Sequence, residues 1–160
     1  MPEHLQGRYV SESTTEQIQI LMPQDINGFD RLFGGKLVEW IDVVAAVVAR
    51  RHCRCEVTTA AIDNLQFKAA AFVNDTLVLR GHMTYVGNTS MEVCVETYVE
   101  SLYGARRLVN RAYLVMVALN ERGQPTKVPP LILTTDKERE EYEAGRRRKA
   151  LRKARQAEQY

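Results

Sequence analysis

Residues 33–51, FGGKLVEWIDVVAAVVARR, restrict the folds open to this chain more than any other stretch. Two glycines open the run, and sixteen residues then follow without Pro or Gly. Leu37, Val38, Trp40, Ile41, Val43, Val44, Val47 and Val48, with alanines at 45, 46 and 49, put apolar side chains on nearly every helical face. A helix apolar all round is a buried helix. Its valines lower intrinsic helicity slightly, so packing must hold it. Helix is expected to begin between Leu32 and Lys36, with Asp30 as a candidate cap. Arg50 and Arg51 suit the negative end of the helix dipole. Two acids, Glu39 and Asp42, interrupt the apolar surface. A carboxylate in an apolar site is costly unless something compensates it, so Asp42 is the residue to explain.

The remaining elements read as strands up to the C-terminal stretch. Ile18–Met22 forms a short strand that Pro23 ends, and Asn27-Gly28 is a turn. Val57–Phe67 is a long strand. Thr76–Val86 alternates, with Leu77, Leu79, Gly81, Met83 and Tyr85 on one face. After the Gly87-Asn88 turn, Thr89–Glu100 points Met91, Val93, Val95, Thr97 and Val99 inward and Glu92, Cys94, Glu96, Tyr98 and Glu100 outward. Leu108–Leu119 is the last long strand, and PTKVPP at 125–130 forms no regular element. Thr135–Gln156 is helical in propensity, but its apolar face is meagre and Gly145 is a candidate break. It reads as a solvated surface helix, and polar residues 1–11 read as loose. The division is therefore a domain over 1–135 and a charged helical tail over 136–160.

One helix cannot be apolar all round and also cover a flat sheet. The sheet must curl about it. The expected fold class is α+β, a curved antiparallel sheet wrapped around one long central helix, the hotdog arrangement. The outer face and free edges of such a sheet call for a partner, so a dimer or larger assembly is expected.

Composition narrows the function classes. At 160 residues the chain has room for one full core. No apolar run approaches the roughly 20 residues of a membrane span. The start, MPEHLQGRYV, has no apolar stretch after a basic opening, which favours the cytoplasm. Cys53, Cys55 and Cys94 are odd in number and lack framework spacing. The C-x-C beside His52 is a weak metal signal on its own. Residues 137–160 carry nine Lys/Arg against five Glu, a net +4, while the rest is net −2. A nucleic-acid role would rest on RRRKALRKAR at 146–155 alone, with no interleaved aromatics to stack bases. A solvated helix end or an intersubunit charge face is the preferred reading. No G-x-S-x-G nucleophile elbow exists. His4, His52 and His82 do not fall where a hotdog dehydratase would want its histidine.

Three places can carry chemistry. Asp42 is either a carboxylate at a subunit contact or wet seam, or a general base or nucleophile sharpened by burial. Glu39 is read as pointing to solvent. Gly34-Gly35 is either a tight loop-to-helix junction or a set of open N–H groups at the positive helix end, suited to an oxyanion. Asn27 is either a turn residue or an amide that holds a water or a carbonyl and that, in a dimer, could serve the other subunit's Asp42.

The run N-x-x-x-x-x-F-G-G-x-L-x-x-x-x-D, from Asn27 through Phe33-Gly34-Gly35 and Leu37 to Asp42, resembles the acyl-CoA thioester hydrolases of the hotdog superfamily. VGNTSMEVCVETYVE at 86–100 and AYLVMVALNERGQPTKVPPL at 112–131 resemble two further segments of that family. The resemblance implies hydrolysis of acyl-CoA to a fatty acid and CoA, with CoA as part of the substrate and no cofactor or metal required. It implies that Asp42 activates water or attacks the thioester and that Asn27 comes from the facing subunit. Backbone N–H groups near Gly34 and Gly35 would take the thioester oxygen. The turn Gly87-Asn88-Thr89-Ser90 would pass near the pantetheine arm, with Arg80, Arg106, Arg107 and Arg111 as candidates for the CoA phosphates. Dimers would assemble as a trimer of dimers. A non-catalytic acyl-CoA-binding regulator is the alternative.

Overall fold

The computed structural model describes residues 5–159, so His4 and the first four positions of the loose segment lie outside the described residues. The elements are β1 (Arg8–Tyr9), β2 (Thr15–Ile20), α1 (Gly34–Cys53), β3 (Glu56–Phe67), β4 (Thr76–Val86), β5 (Ser90–Glu100), β6 (Arg106–Leu119), β7 (Leu131–Ile132) and α2 (Asp136–Ala157). Five of the strands form one antiparallel sheet in the order β2-β4-β5-β6-β3. The fold is α+β, a hotdog half-barrel curved around α1. The segment expected to be loose instead contributes β1, which pairs in parallel with β7.

Leu37, Trp40, Ile41, Val44, Ala45, Val48 and Ala49 of α1 are buried in the concave face of the sheet. Leu77, Leu79, Met83, Val93, Val95, Leu114 and Met116 meet them there. Gly81 permits the approach, because a Cβ at this position would lie 2.8 Å from Val44 and 2.9 Å from Val48. The helix is not apolar-buried all round, however. Val43 is 51% exposed, and Asp42 and Glu39 share its side. Asp30 does not cap α1; it sits at φ 59° in the preceding turn, and the N-cap is the extended Phe33, which makes no side-chain cap.

β4 departs from simple alternation. Its register with β5 shifts between Met83 and Tyr85. The bulge flips the phase, so Val86 enters the core while Tyr85 turns outward against Tyr142, with ring centroids 4.7 Å apart. The short strand expected at Ile18–Met22 is shifted to Thr15–Ile20, since the chain turns at Pro23–Asp25 after Leu21 and Met22.

The outer face of β5 is covered rather than solvated. α2 runs unbroken across it, and Gly145 is where the helix presses closest: a Cβ there would be 2.7 Å from Tyr85 Cβ and 3.0 Å from Glu92 Oε1. Glu92 is 1% exposed. It accepts from Arg148 at 2.7 Å, from Arg152 at 3.1 Å and from Thr84 Oγ1 at 2.7 Å. Arg155 donates to Asp63 on β3 at 2.9 Å, and the Arg148 guanidinium lies 3.7 Å from the Tyr113 ring centroid. Much of the basic run therefore answers to carboxylates within this chain. No helix among the described residues is long and apolar enough to cross a membrane.

Candidate active site

α1 carries Asp42 in its third turn, on the side that faces β3 at the edge of the sheet. Thr59 of β3 donates its hydroxyl to Asp42 Oδ1 at 2.6 Å. A bond of that length to a charged acceptor is strong and fixes the carboxylate's orientation. Oδ2 has no partner among the described residues, so a fixed carboxylate presents one free oxygen at a partly open seam. Thr59 is the residue that sequence reasoning missed.

The N-terminal end of α1 leaves backbone N–H groups without helical partners. The first helix N–H groups to find backbone acceptors are those of Lys36 and Leu37, both directed at the Phe33 carbonyl. The N–H groups of Gly34 and Gly35 are the orphan donors of the helix start. Beside the helix start lies a cleft of about 320 Å³, lined by Asn27, Leu37, Phe67, Lys68 and Val109 among others; the glycines do not line it, and Gly34 reaches it only through its neighbour Phe67. Asn27 Oδ1 accepts from the N–H groups of Phe29 at 2.9 Å and Arg31 at 3.3 Å, so its carbonyl shapes the loop. Its amide nitrogen keeps two donors to offer.

One chain brings Asn27 to this cleft, sets Gly34 next to its Phe67 wall and holds Asp42 on Thr59, but it does not join these groups. Eight helical residues separate Gly34 from Asp42, about 12 Å along the axis. On β3, Thr59 and Phe67 are eight residues apart, roughly 25 Å of strand.

The Gly87–Ser90 turn closes on itself through Gly87 N–H to Ser90 O at 2.8 Å. Lys149 of α2 lies against Gly87. Ser90, Lys149, Arg152, Lys153 and Gln156 surround a pocket of about 180 Å³ there. Burial holds the Lys149 ammonium below its ordinary range, and the charges of Lys153 and Arg152 push it the same way. The four arginines named from the sequence are elsewhere. Arg106 lies between Glu100 and Glu16 at 3.1 Å each, Arg111 pairs with Glu96 at 2.9 Å, and Arg107 donates to the Ala70 carbonyl at 3.3 Å. Arg80 lines a cleft with Arg106 and Glu96. Arg106 pairs across from Glu100, ten residues up β5 from Ser90, so about 33 Å of strand separates it from the turn.

Cys53 and Cys55 pack against the core with their sulfurs 2.8 Å apart, and burial pushes the Cys53 thiol up to about 12. His52 is fully buried, its Nε2 2.8 Å from the Pro129 carbonyl, where it secures the PTKVPP segment.

Comparison with known proteins agrees with this geometry. Residues 29–104 match the family described as the thioesterase superfamily. The uncharacterized acyl-CoA thioester hydrolase YkhA of Bacillus subtilis is 38% identical over 132 residues, covering 82% of this chain and 77% of that protein. The cytosolic acyl coenzyme A thioester hydrolase of Rattus norvegicus is 31% identical over 87% of this chain, which spans only 37% of the rat protein. Among solved structures, an apo-hexameric acyl-CoA thioesterase superposes with a TM-score of 0.91 at 40% identity, covering 96% of this chain and 99% of that one. The acyl-CoA hydrolase of Staphylococcus aureus, in complex with butyryl coenzyme A, coenzyme A and coenzyme A disulfide, superposes with a TM-score of 0.90 at 33% identity, covering 95% and 93%. The same hydrolase is known as alanine variants at an aspartate, a threonine and an asparagine. With a curved sheet around a helix that carries an oriented aspartate, and with relatives of this identity and coverage, the chain belongs to the hotdog-fold acyl-CoA thioester hydrolases of the thioesterase superfamily.

Proposed function

We propose that this chain hydrolyses acyl-CoA thioesters to a free fatty acid and CoA, using Asp42 as base or nucleophile. The observation that carries the reading is the carboxylate of Asp42, with one oxygen held by Thr59 and the other free. Two routes use it. As base, Asp42 takes a proton from water, and the resulting hydroxide attacks the thioester carbonyl. As nucleophile, Asp42 attacks the carbonyl itself to give a mixed anhydride, which water then opens. In both, the carbonyl oxygen becomes an oxyanion that N–H groups at Gly34 and Gly35 stabilise, and CoA leaves as its thiolate. A thiolate is a good leaving group, with a pKa of about 8.5 by analogy with cysteine.

The assembly completes the site. β3 is an edge strand, and Val43, Ile62 and Phe67 are exposed along the same seam as Asp42. Two copies paired antiparallel through β3 would lay the Phe67 end of one beside the Thr59 of the other. That pairing supplies the partner subunit's Asn27 to Asp42 and closes the gap that one chain leaves open. The relative solved as a hexamer supports a homo-oligomer here, built as a trimer of such dimers. At the Gly87–Ser90 turn, the under-neutralised Lys149, with Lys153, suits a CoA phosphate. It does so better than Arg106 and Arg111, whose charges glutamates already answer. Arg80 and Arg107 stay candidates for a second phosphate contact.

The test is steady-state release of free thiol from a panel of acyl-CoAs, short to long, with wild type and Asp42→Asn side by side. Turnover by wild type and a loss of at least about 100-fold in Asp42→Asn, with CoA binding retained, is expected. Binding without thiol release in the wild type would instead make the protein an acyl-CoA sensor.

A further inference from the structure

A second cluster of chemically capable side chains lies on the opposite face of the sheet from Asp42, under the N-terminal half of α2. His82 of β4 and Cys94 of β5 are direct cross-strand partners, and Glu96 follows on the same face. A nitrogen, a sulfur and a carboxylate oxygen from these three lie within 4.8 Å of one another. Cys94 is 3% exposed, and the side chains of His82 and Glu96 are 13% and 15% exposed. His82 Nε2 is 3.0 Å from Glu141 Oε2 of α2, which leaves Nδ1 as the free ring nitrogen. Arg111 takes Glu96 through Oε2, and the Tyr98 hydroxyl also bonds this carboxylate, so a cation would compete with Tyr98 for Glu96.

We infer that His82, Cys94 and Glu96 form a binding site for a divalent cation of zinc type, with Glu141 orienting the histidine from α2. The donor set is the reason. One imidazole, one thiolate and one carboxylate is a mixture that suits zinc and disfavours magnesium or calcium, which take oxygen ligands. A carboxylate on the far nitrogen of a ligating histidine fixes its ring and raises its basicity. Binding releases the Cys94 thiol proton to solvent, and the two negative ligands then balance the ion's charge. Arg111 already pairs with Glu96 and opposes any cation, whatever its type; the preference for zinc comes from the thiolate and imidazole alone. The fourth position opens to the cleft beside Arg80 and Tyr98, where water can fill it. The ion would tie β4 to β5 and, through Glu141, to α2. It has no path to the Asp42 seam across the sheet, so its role is structural.

Cobalt(II) titration of the reduced full-length protein tests this. One equivalent per chain is expected to bring up a thiolate-to-cobalt charge-transfer band in the near ultraviolet, which zinc then abolishes. Cys94→Ser should lose the band, and the Cys53→Ser/Cys55→Ser double variant should keep it. His82→Gln should weaken binding by at least about tenfold, in the range that loss of a ligand or its orienting shell produces. Zinc should raise the apparent Tm of wild type and not that of His82→Gln. No band, or a band that survives in Cys94→Ser and vanishes in the double variant, would overturn the assignment. Should Cys94→Ser not fold, the His82→Gln arm decides: unchanged cobalt affinity there rejects the site.

Discussion

At the scale of single residues, the proposed chemistry depends on how Asp42 is held. Thr59→Val keeps the shape of the side chain and removes the donor to Oδ1. A hydrogen bond to a charged group contributes about 1.5 kcal/mol or more, so kcat should fall about tenfold or further while the acyl-CoA Kd stays near wild type. Equal kcat in Thr59→Val would mean the bond only tidies the helix face. Asp42 was legible because a charge inside an apolar helix is anomalous wherever it occurs. Thr59 was not: it stands in a run of small residues, VTTAA, and its meaning comes from a contact 17 residues away in sequence. His52 gives a second residue-scale outcome. Burial lowers its pKa from 6.5, since the charged ring would have to sit in the core. The unfolded chain therefore binds this proton more readily, and stability drops as pH falls below 6.5, levelling off once the folded-state pKa is passed. Tm measured between neutral and mildly acidic pH should decline in wild type, and His52→Gln should flatten that decline.

Among the elements, α2 is held chiefly by charge and aromatic contact. Removing one member of a buried ion pair leaves the other unanswered, at roughly 3–5 kcal/mol. Glu92→Gln should sit near the lower end, about 3 kcal/mol by urea denaturation, because Arg148 keeps some solvent and Arg152 keeps Asp63. Gly145→Val should cost about 1–3 kcal/mol by overpacking against Tyr85. If both variants unfold at the wild-type midpoint, α2 contributes nothing to the fold. This is also where sequence reading stopped. Apolar periodicity located the helix and the long strands to within two residues, since their packing is apolar. It could not see α2 docking, because arginine stems, a glycine contact and a buried glutamate leave no apolar stripe. Nor could it see the β4 bulge, which is fixed by Thr84 reaching Glu92 rather than by any local turn residue.

For the whole molecule, the exposed Val43 beside Asp42 is the clearest mark of an unfinished surface. Val43→Glu would put a charge into the seam, and size-exclusion chromatography should then report a smaller species with little thiol release. A sharper outcome comes from mixing Asn27→Ala and Asp42→Asn, each expected to be inactive alone, under conditions that exchange subunits. A two-fold pair made of one of each contains one intact site and one doubly altered site. Random exchange should restore about a quarter of wild-type activity. No recovery, with exchange verified, would mean that both residues act within one chain.

The gap between Asn27 and Asp42 within one chain also bears on kinetics at low protein concentration. If neither copy is competent alone, the amount of catalyst is set by the association equilibrium. Below the dissociation constant the observed rate should climb with the square of the protein concentration, and specific activity would fade on dilution and return on concentrating. A cell holding little of this protein would then have less than its share of activity, and a modest rise in expression would be amplified into a larger rise in turnover.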